Sequence, residues 1–108
     1  MMRTGIRSLA ASVAILSTLS AAGLAQSPGA TTYKSKCQMC HGATGMADTG
    51  AGKSMGVKPV SDPEVKKMTA AEMIAVTKGG KGKMPAFKDK LTDAQIKAAV
   101  DFYLSLVQ

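Results

Sequence analysis

The residues with the most chemistry per position lie in KCQMCHG, Lys36 to Gly42. Cys37 and Cys40 stand three apart, and His41 follows at once. Four chemistries use such a pair: a disulfide, a structural zinc site, a dithiol redox pair, and thioether attachment of a haem. Zinc needs about four ligands, normally in two pairs, and the chain has two Cys and one His in all. A thioredoxin-like pair opens a helix after a strand, whereas this pair follows a helical stretch with no strand in sight. A plain disulfide is the simplest alternative. It would close too short a loop to add much stability, and it gives His41 no role. Haem attachment uses every part. The two thiols add to the two vinyl groups of the porphyrin, and the next residue is held under the iron; C-x-x-C-H is the signature of that chemistry. The motif therefore reads as one covalently attached haem c, with Cys37 and Cys40 as thioether anchors and His41 as an axial ligand.

The iron then has a sixth position to fill. With a single histidine in the chain, a second imidazole is excluded, and methionine sulfur is the next choice. Met39 lies between the cysteines and cannot reach the opposite face. Met68 and Met73 fall at helical spacing and read as packing residues. Met46 and Met55 sit in a glycine-rich stretch and stay open as alternatives. Met84 is followed by Pro85, which fixes its own φ and restricts the residue before it. It lies 43 residues past His41, enough chain to pass the haem edge. Met84 is the first choice for the distal ligand.

The elements that position these residues are helices. Ser27-Pro28 is a cap followed by proline at the first helical position, which predicts a helix from Pro28 to about Met39. Gly42 to Gly56 has five glycines and no apolar period, so a loop is expected. Asp62-Pro63 opens a short helix through about Lys67. MTAAEM and LTDAQI are both capping boxes, with Thr69 and Glu72 in one and Thr92 and Gln95 in the other. Met68–Met73 and Leu91–Ile96 are the matching apolar staples. The first of these helices stops at KGGKG and the second runs toward the C-terminus, with Ile96, Val100, Tyr103 and Val107 on one stripe. The expected fold class is all-α: three to four short helices wrapped around one haem. The four aromatics are Tyr33, Phe87, Phe102 and Tyr103, and there is no Trp. So small and aromatic-poor a chain needs a staple to hold a core, and a haem supplies the missing apolar bulk.

Residues 1–25 stand apart from that domain. Arg3 and Arg7, an apolar run from Leu9 to Leu19, and the small residues of SAAGLAQ form the three parts of a secretory signal peptide, cleaved after Ala25. The domain then runs over 26–108. The run is too short and too rich in Ala and Ser for a strong membrane anchor. Without Arg3 and Arg7, 12 lysines face 7 acidic residues and the charge falls from +7 to +5. Export and the absence of any mature arginine disfavour nucleic acid as a partner.

CQMCHG, GKGKMPAF and LTDAQIKAAVDFYLSL together resemble a small monohaem class I cytochrome c, most like the short bacterial kind related to the algal and cyanobacterial photosynthetic donors. The resemblance covers essentially the whole mature chain. It implies Cys37 and Cys40 on the haem, His41 proximal and Met84 distal. It also implies that Gly29 and Tyr33 on the first helix cross the last helix near Phe102. One departure stands out. The wider family often places a proline soon after the haem-binding histidine, whose carbonyl supports the ring; here the first proline is Pro59, 18 residues on, and the partner of His41 is left open.

With both axial positions filled, the expected activity is outer-sphere electron transfer and not enzymatic turnover. The chain reads as a periplasmic, monomeric one-electron carrier of a respiratory chain, working between a membrane reductase and an oxidase or other acceptor. Lys53, Lys58, Lys81, Lys83, Lys88 and Lys90 flank the haem-covering loops and suit partners with acidic docking surfaces. Two other functions fit the same motifs: a gas-binding or peroxidatic haem protein with a loose Met84, and a cytochrome subunit of a dehydrogenase complex.

Overall fold

The computed structural model describes residues 14–15 and 27–107. The export segment expected over 1–25 therefore lies almost wholly outside the described residues. Six helical segments follow one another: α1 (Pro28–Lys36), α2 (Gln38–His41), α3 (Gly50–Met55), α4 (Pro63–Lys66), α5 (Ala70–Gly79) and α6 (Asp93–Ser105). Among the described residues the only β pairing is an isolated bridge between Lys81 and Met84, so the all-α class is as expected.

The helix starts follow from their caps. The Ser27 hydroxyl accepts the Ala30 N–H at 3.2 Å, ahead of Pro28 at the first helical position. Asp62 accepts the Glu64 N–H at 2.9 Å ahead of Pro63. Both capping boxes close in both directions. Thr69 takes the Glu72 N–H at 3.1 Å and Glu72 returns the bond at 2.8 Å. Thr92 and Gln95 do the same at 3.1 and 2.9 Å. Each cap of this kind stabilises its helix by about 1 kcal/mol.

Two details differ from the sequence expectation. The first helix breaks at Cys37, and α2 continues it as one further turn. The glycine-rich stretch 42–56 is not a loop throughout, because α3 forms in its second half. Glycine disfavours helix, but two local contacts outweigh that. The Thr49 hydroxyl caps α3 by accepting the Gly52 N–H at 2.8 Å. Gly52 itself is buried, and a Cβ there would overlap the Cys40 carbonyl. The glycines permit a close approach of α3 to α2 that larger residues would block.

α6 is the floor of the molecule, with α1 and α5 both packed on it. At the α1–α6 crossing a Cβ on Gly29 would overlap the Ala98 carbonyl, and the Phe102 Cβ would lie 3.2 Å away. Tyr33, fully buried, places its ring 5.2 Å from that of Phe102. The crossing that the resemblance implied is therefore present. At the α5–α6 end, Phe87, Leu91 and Ile96 form a cluster with Ile74 and Met84 packed against it. Among the described residues only nine apolar side chains are buried, two of them alanines, so helix-on-helix packing leaves the centre unfilled.

Candidate cofactor site

Cys37, Cys40 and His41 share the junction of α1 and α2, and backbone hydrogen bonds hold that junction from several sides. The His41 N–H donates to the Cys37 carbonyl at 3.0 Å, and the Gly42 N–H to the Gln38 carbonyl at 2.8 Å. The His41 carbonyl accepts the Ala47 N–H at 2.8 Å, and the Cys40 carbonyl accepts the Thr49 hydroxyl at 3.4 Å. Ala47 adopts φ 52, a left-handed conformation unusual for a residue with a Cβ, and it does so fully buried.

Both cysteines are half-buried, and no disulfide joins them. Burial, and then Cys40 beside it, pushes the Cys37 thiol up to about 11. Burial holds His41 below the usual imidazole range. The ring is therefore neutral at pH 7 and keeps a lone pair for a metal. Its Nδ1 is buried and has no hydrogen-bond partner among the described residues. No proline carbonyl serves it, in keeping with the departure seen in the sequence.

Met84 is carried by a different device. α5 ends where the Gly80 N–H reaches the Val76 carbonyl at 2.7 Å and Gly80 turns to φ 76. Lys81 and Met84 then pair through two backbone bonds of 3.0 Å each, closing a tight hairpin over Gly82 and Lys83. The Phe87 N–H fastens the segment back to the Thr77 carbonyl at 2.9 Å. Phe87 is buried, which answers why so apolar a residue stands in a basic loop, and the Lys90 ammonium lies 5.6 Å from the centre of its ring.

These two assemblies face one cavity of about 1060 Å³, at the upper end of the usual size for cofactor sites. Cys37, Cys40, His41 and Met84 all border it. Its walls include Met73, Val76, Ala99 and Val100. Met55 and Met68 also border the cavity, whereas Met46 does not and is exposed, its sulfur 3.8 Å from the Ser61 hydroxyl. Met68 and Met73, expected as packing residues, thus pack around this space. Among the described residues no three His, Cys, Asp or Glu side chains converge on a metal-binding point. Two thiols of the spacing that adds to porphyrin vinyl groups, with a neutral imidazole and a thioether bordering the same apolar cavity, fit a covalently attached haem.

The chain matches, over residues 25–102, the family described as cytochrome C oxidase, cbb3-type, subunit III. The chain belongs to this cytochrome c family. Among solved structures it is similar to the KustC0563 c-type cytochrome, at 29% identity and a TM-score of 0.68, over 74% of this chain and 98% of that one. No curated protein matches the chain. The protein is a small monohaem cytochrome c with covalently attached haem c, and its chemistry is electron transfer with redox partners.

The cytochrome's surface around the cavity is basic. Lys36, Lys58, Lys81, Lys83 and Lys90 border the opening, against Glu64 and Glu72. Lys58 is paired with Glu64, which raises its ammonium above the usual range. Lys53 and Lys88, expected beside the site, lie on the surface but not on its border. Among the described residues no helix is long and apolar enough to cross a membrane. Sequence reasoning missed the hydroxyl of Tyr33, which donates to the Gly42 carbonyl at 2.5 Å in the interior. Its position four residues before Cys37 was the available signal.

Proposed function

We propose that this cytochrome is a periplasmic one-electron carrier with His41 and Met84 as axial ligands, and with Cys37 and Cys40 as the thioether anchors. The observation that carries the reading is the shared cavity: one apolar space bordered by all four side chains. Bound there, the haem iron supplies a reversible one-electron couple. The chain's own part is to fill both axial positions, exclude water with Met73, Val76 and Val100, and keep the imidazole neutral by burial. Small molecules then have no free coordination site, and enzymatic turnover is disfavoured. A methionine ligand in an apolar pocket favours the ferrous state and raises the potential. The lysines at the opening give encounters with acidic redox proteins, such as a membrane reductase or terminal oxidase, that weaken as salt rises.

The deciding experiment is Met84→Ala. Haem should remain attached while the low-spin methionine–iron spectrum is lost and the potential falls. A retained native spectrum would move the ligand to Met55, the other open alternative on the cavity wall. Ready carbon monoxide binding by the unsubstituted ferrous protein at neutral pH would instead favour the gas-binding reading. The family description names an oxidase subunit, so a second reading is a cytochrome held on its oxidase. Purification as a free monomer would count against it.

A further inference from the structure

The haem-binding turn ends in a histidine with one unsupported nitrogen. His41 Nδ1 is buried and has no hydrogen-bond partner among the described residues. A histidine that binds metal through one nitrogen ordinarily gives its other N–H to an acceptor, and that bond sets the rotation of the ring. Here the ring is met by another aromatic instead. Tyr103 lies edge-on to the imidazole, with centroids 5.4 Å apart and planes at 66°. Behind Tyr103 stands Tyr33, 6.1 Å away and nearly parallel at 24°.

Tyr33 is also tied to the turn at both ends. Its carbonyl accepts the Cys37 N–H at 2.9 Å, where the haem-binding segment begins. Its hydroxyl donates to the Gly42 carbonyl at 2.5 Å, where the segment ends. One buried residue, 2% exposed, thus brackets Cys37 to Gly42, by its backbone carbonyl at one end and its hydroxyl at the other. The turn has little room to move away from it. Gly42 sits at φ 82, and a Cβ there would meet the Asp48 carboxylate at 2.5 Å. The ring of Tyr33 serves the α1–α6 crossing through Phe102. The hydroxyl has no part in that crossing, so its bond to Gly42 needs a separate explanation.

We propose that Tyr33 is a positioning residue for His41, acting through the Gly42 carbonyl and through Tyr103 in place of an acceptor on Nδ1. The proposal rests on the reading of His41 as an axial ligand. It fits both the missing acceptor and the otherwise redundant hydroxyl.

The test uses the ferric holoprotein grown with nitrogen-15 histidine. The chain has one histidine, so the label reports on His41 alone. In the unsubstituted protein both ring nitrogens should be strongly shifted by the unpaired electron. Unshifted signals there would overturn the ligand reading, and the proposal with it. With that reading secure, Tyr33→Phe should move the ring-nitrogen and haem-methyl shifts while leaving the haem attached. Tyr103→Leu should move them further. Phe102→Leu is the control, because it removes a neighbouring ring with no tie to His41 and should move them several-fold less than Tyr33→Phe. Shifts identical in the parent and Tyr33→Phe would overturn the proposal while leaving His41 as ligand. So would shifts that follow Phe102→Leu as closely as Tyr33→Phe, since that is the mark of general repacking.

Discussion

The two sides of the cavity are built by opposite means. On the Cys37–His41 side, α1, α2 and α3 converge, and the backbone is held by bonds from Tyr33, Ala47 and Thr49. Glycines 29 and 52 allow helices to approach until carbonyls occupy the space a Cβ would need. On the Met84 side a hairpin closed by two bonds carries the residue, fastened to α5 by Phe87 and Thr77. Its neighbours Lys81, Gly82 and Lys83 are exposed. The difference teaches where change can occur. The anchored side is over-determined, so a disturbance there costs fold. The hairpin side is held locally, so a disturbance there costs coordination first.

The largest break removes the anchor itself. Cys37→Ala combined with Cys40→Ala should prevent stable holoprotein from accumulating. The nine buried apolar side chains cannot close a cavity of about 1060 Å³, and so small a chain has little core to spare. Far-UV circular dichroism and yield measure this. A well-folded apoprotein with a sharp thermal transition would contradict it.

A paired substitution sharpens the contrast between the sides. Gly52→Ala puts a methyl into the Cys40 carbonyl, with the Ala47 carbonyl at 2.8 Å. Helix propensity would gain up to about 1 kcal/mol, but overpacking typically costs about 1–3 kcal/mol. A net loss in thermal stability is expected, with the methionine–iron spectrum unchanged. Gly80→Ala meets the Met84 carbonyl at 2.9 Å and the Ala86 nitrogen at 3.0 Å, and must hold φ 76. Left-handed strain alone is about 1–2 kcal/mol. Here the hairpin should yield before the fold does. Carbon monoxide binding by the ferrous form should rise, while the melting temperature falls less than for Gly52→Ala. Equal carbon monoxide binding in the two variants would erase the distinction between the sides.

That contrast also explains what was legible in the sequence. Cys37, Cys40 and His41 were readable because covalent attachment demands a fixed spacing. The capping boxes at Thr69 and Thr92 were readable because they are local, each complete within four residues. Met84 was readable through Pro85, again a neighbour in sequence. What escaped was tertiary. α3 forms because Gly52 fits under Cys40, a contact twelve residues apart that no propensity scale holds. The Tyr33–Gly42 bond and the edge-on Tyr103 depend on how α1, α2 and α6 cross. The cavity-facing role of Met68 and Met73 was hidden for the same reason, since a methionine at helical spacing looks alike whether it meets a helix or a cofactor.

The smallest expected effect probes strain on the anchored side. Ala47 is buried at φ 52, and its N–H holds the His41 carbonyl. Ala47→Gly relieves a left-handed conformation worth about 1–2 kcal/mol. It also frees the unfolded chain, at a cost of about 0.5–1 kcal/mol, and deletes a buried methyl worth about 0.8 kcal/mol. These terms nearly cancel, so stability should stay within about 1 kcal/mol of the parent, or about 4–8 °C in melting temperature. Ala47→Val cannot share that cancellation, because a β-branched side chain tolerates positive φ worst, and it should be clearly less stable. If Val and Gly melted alike, Ala47 would not be under strain, and the rigidity of the His41 side would rest on Tyr33, Thr49 and the close approach at Gly52.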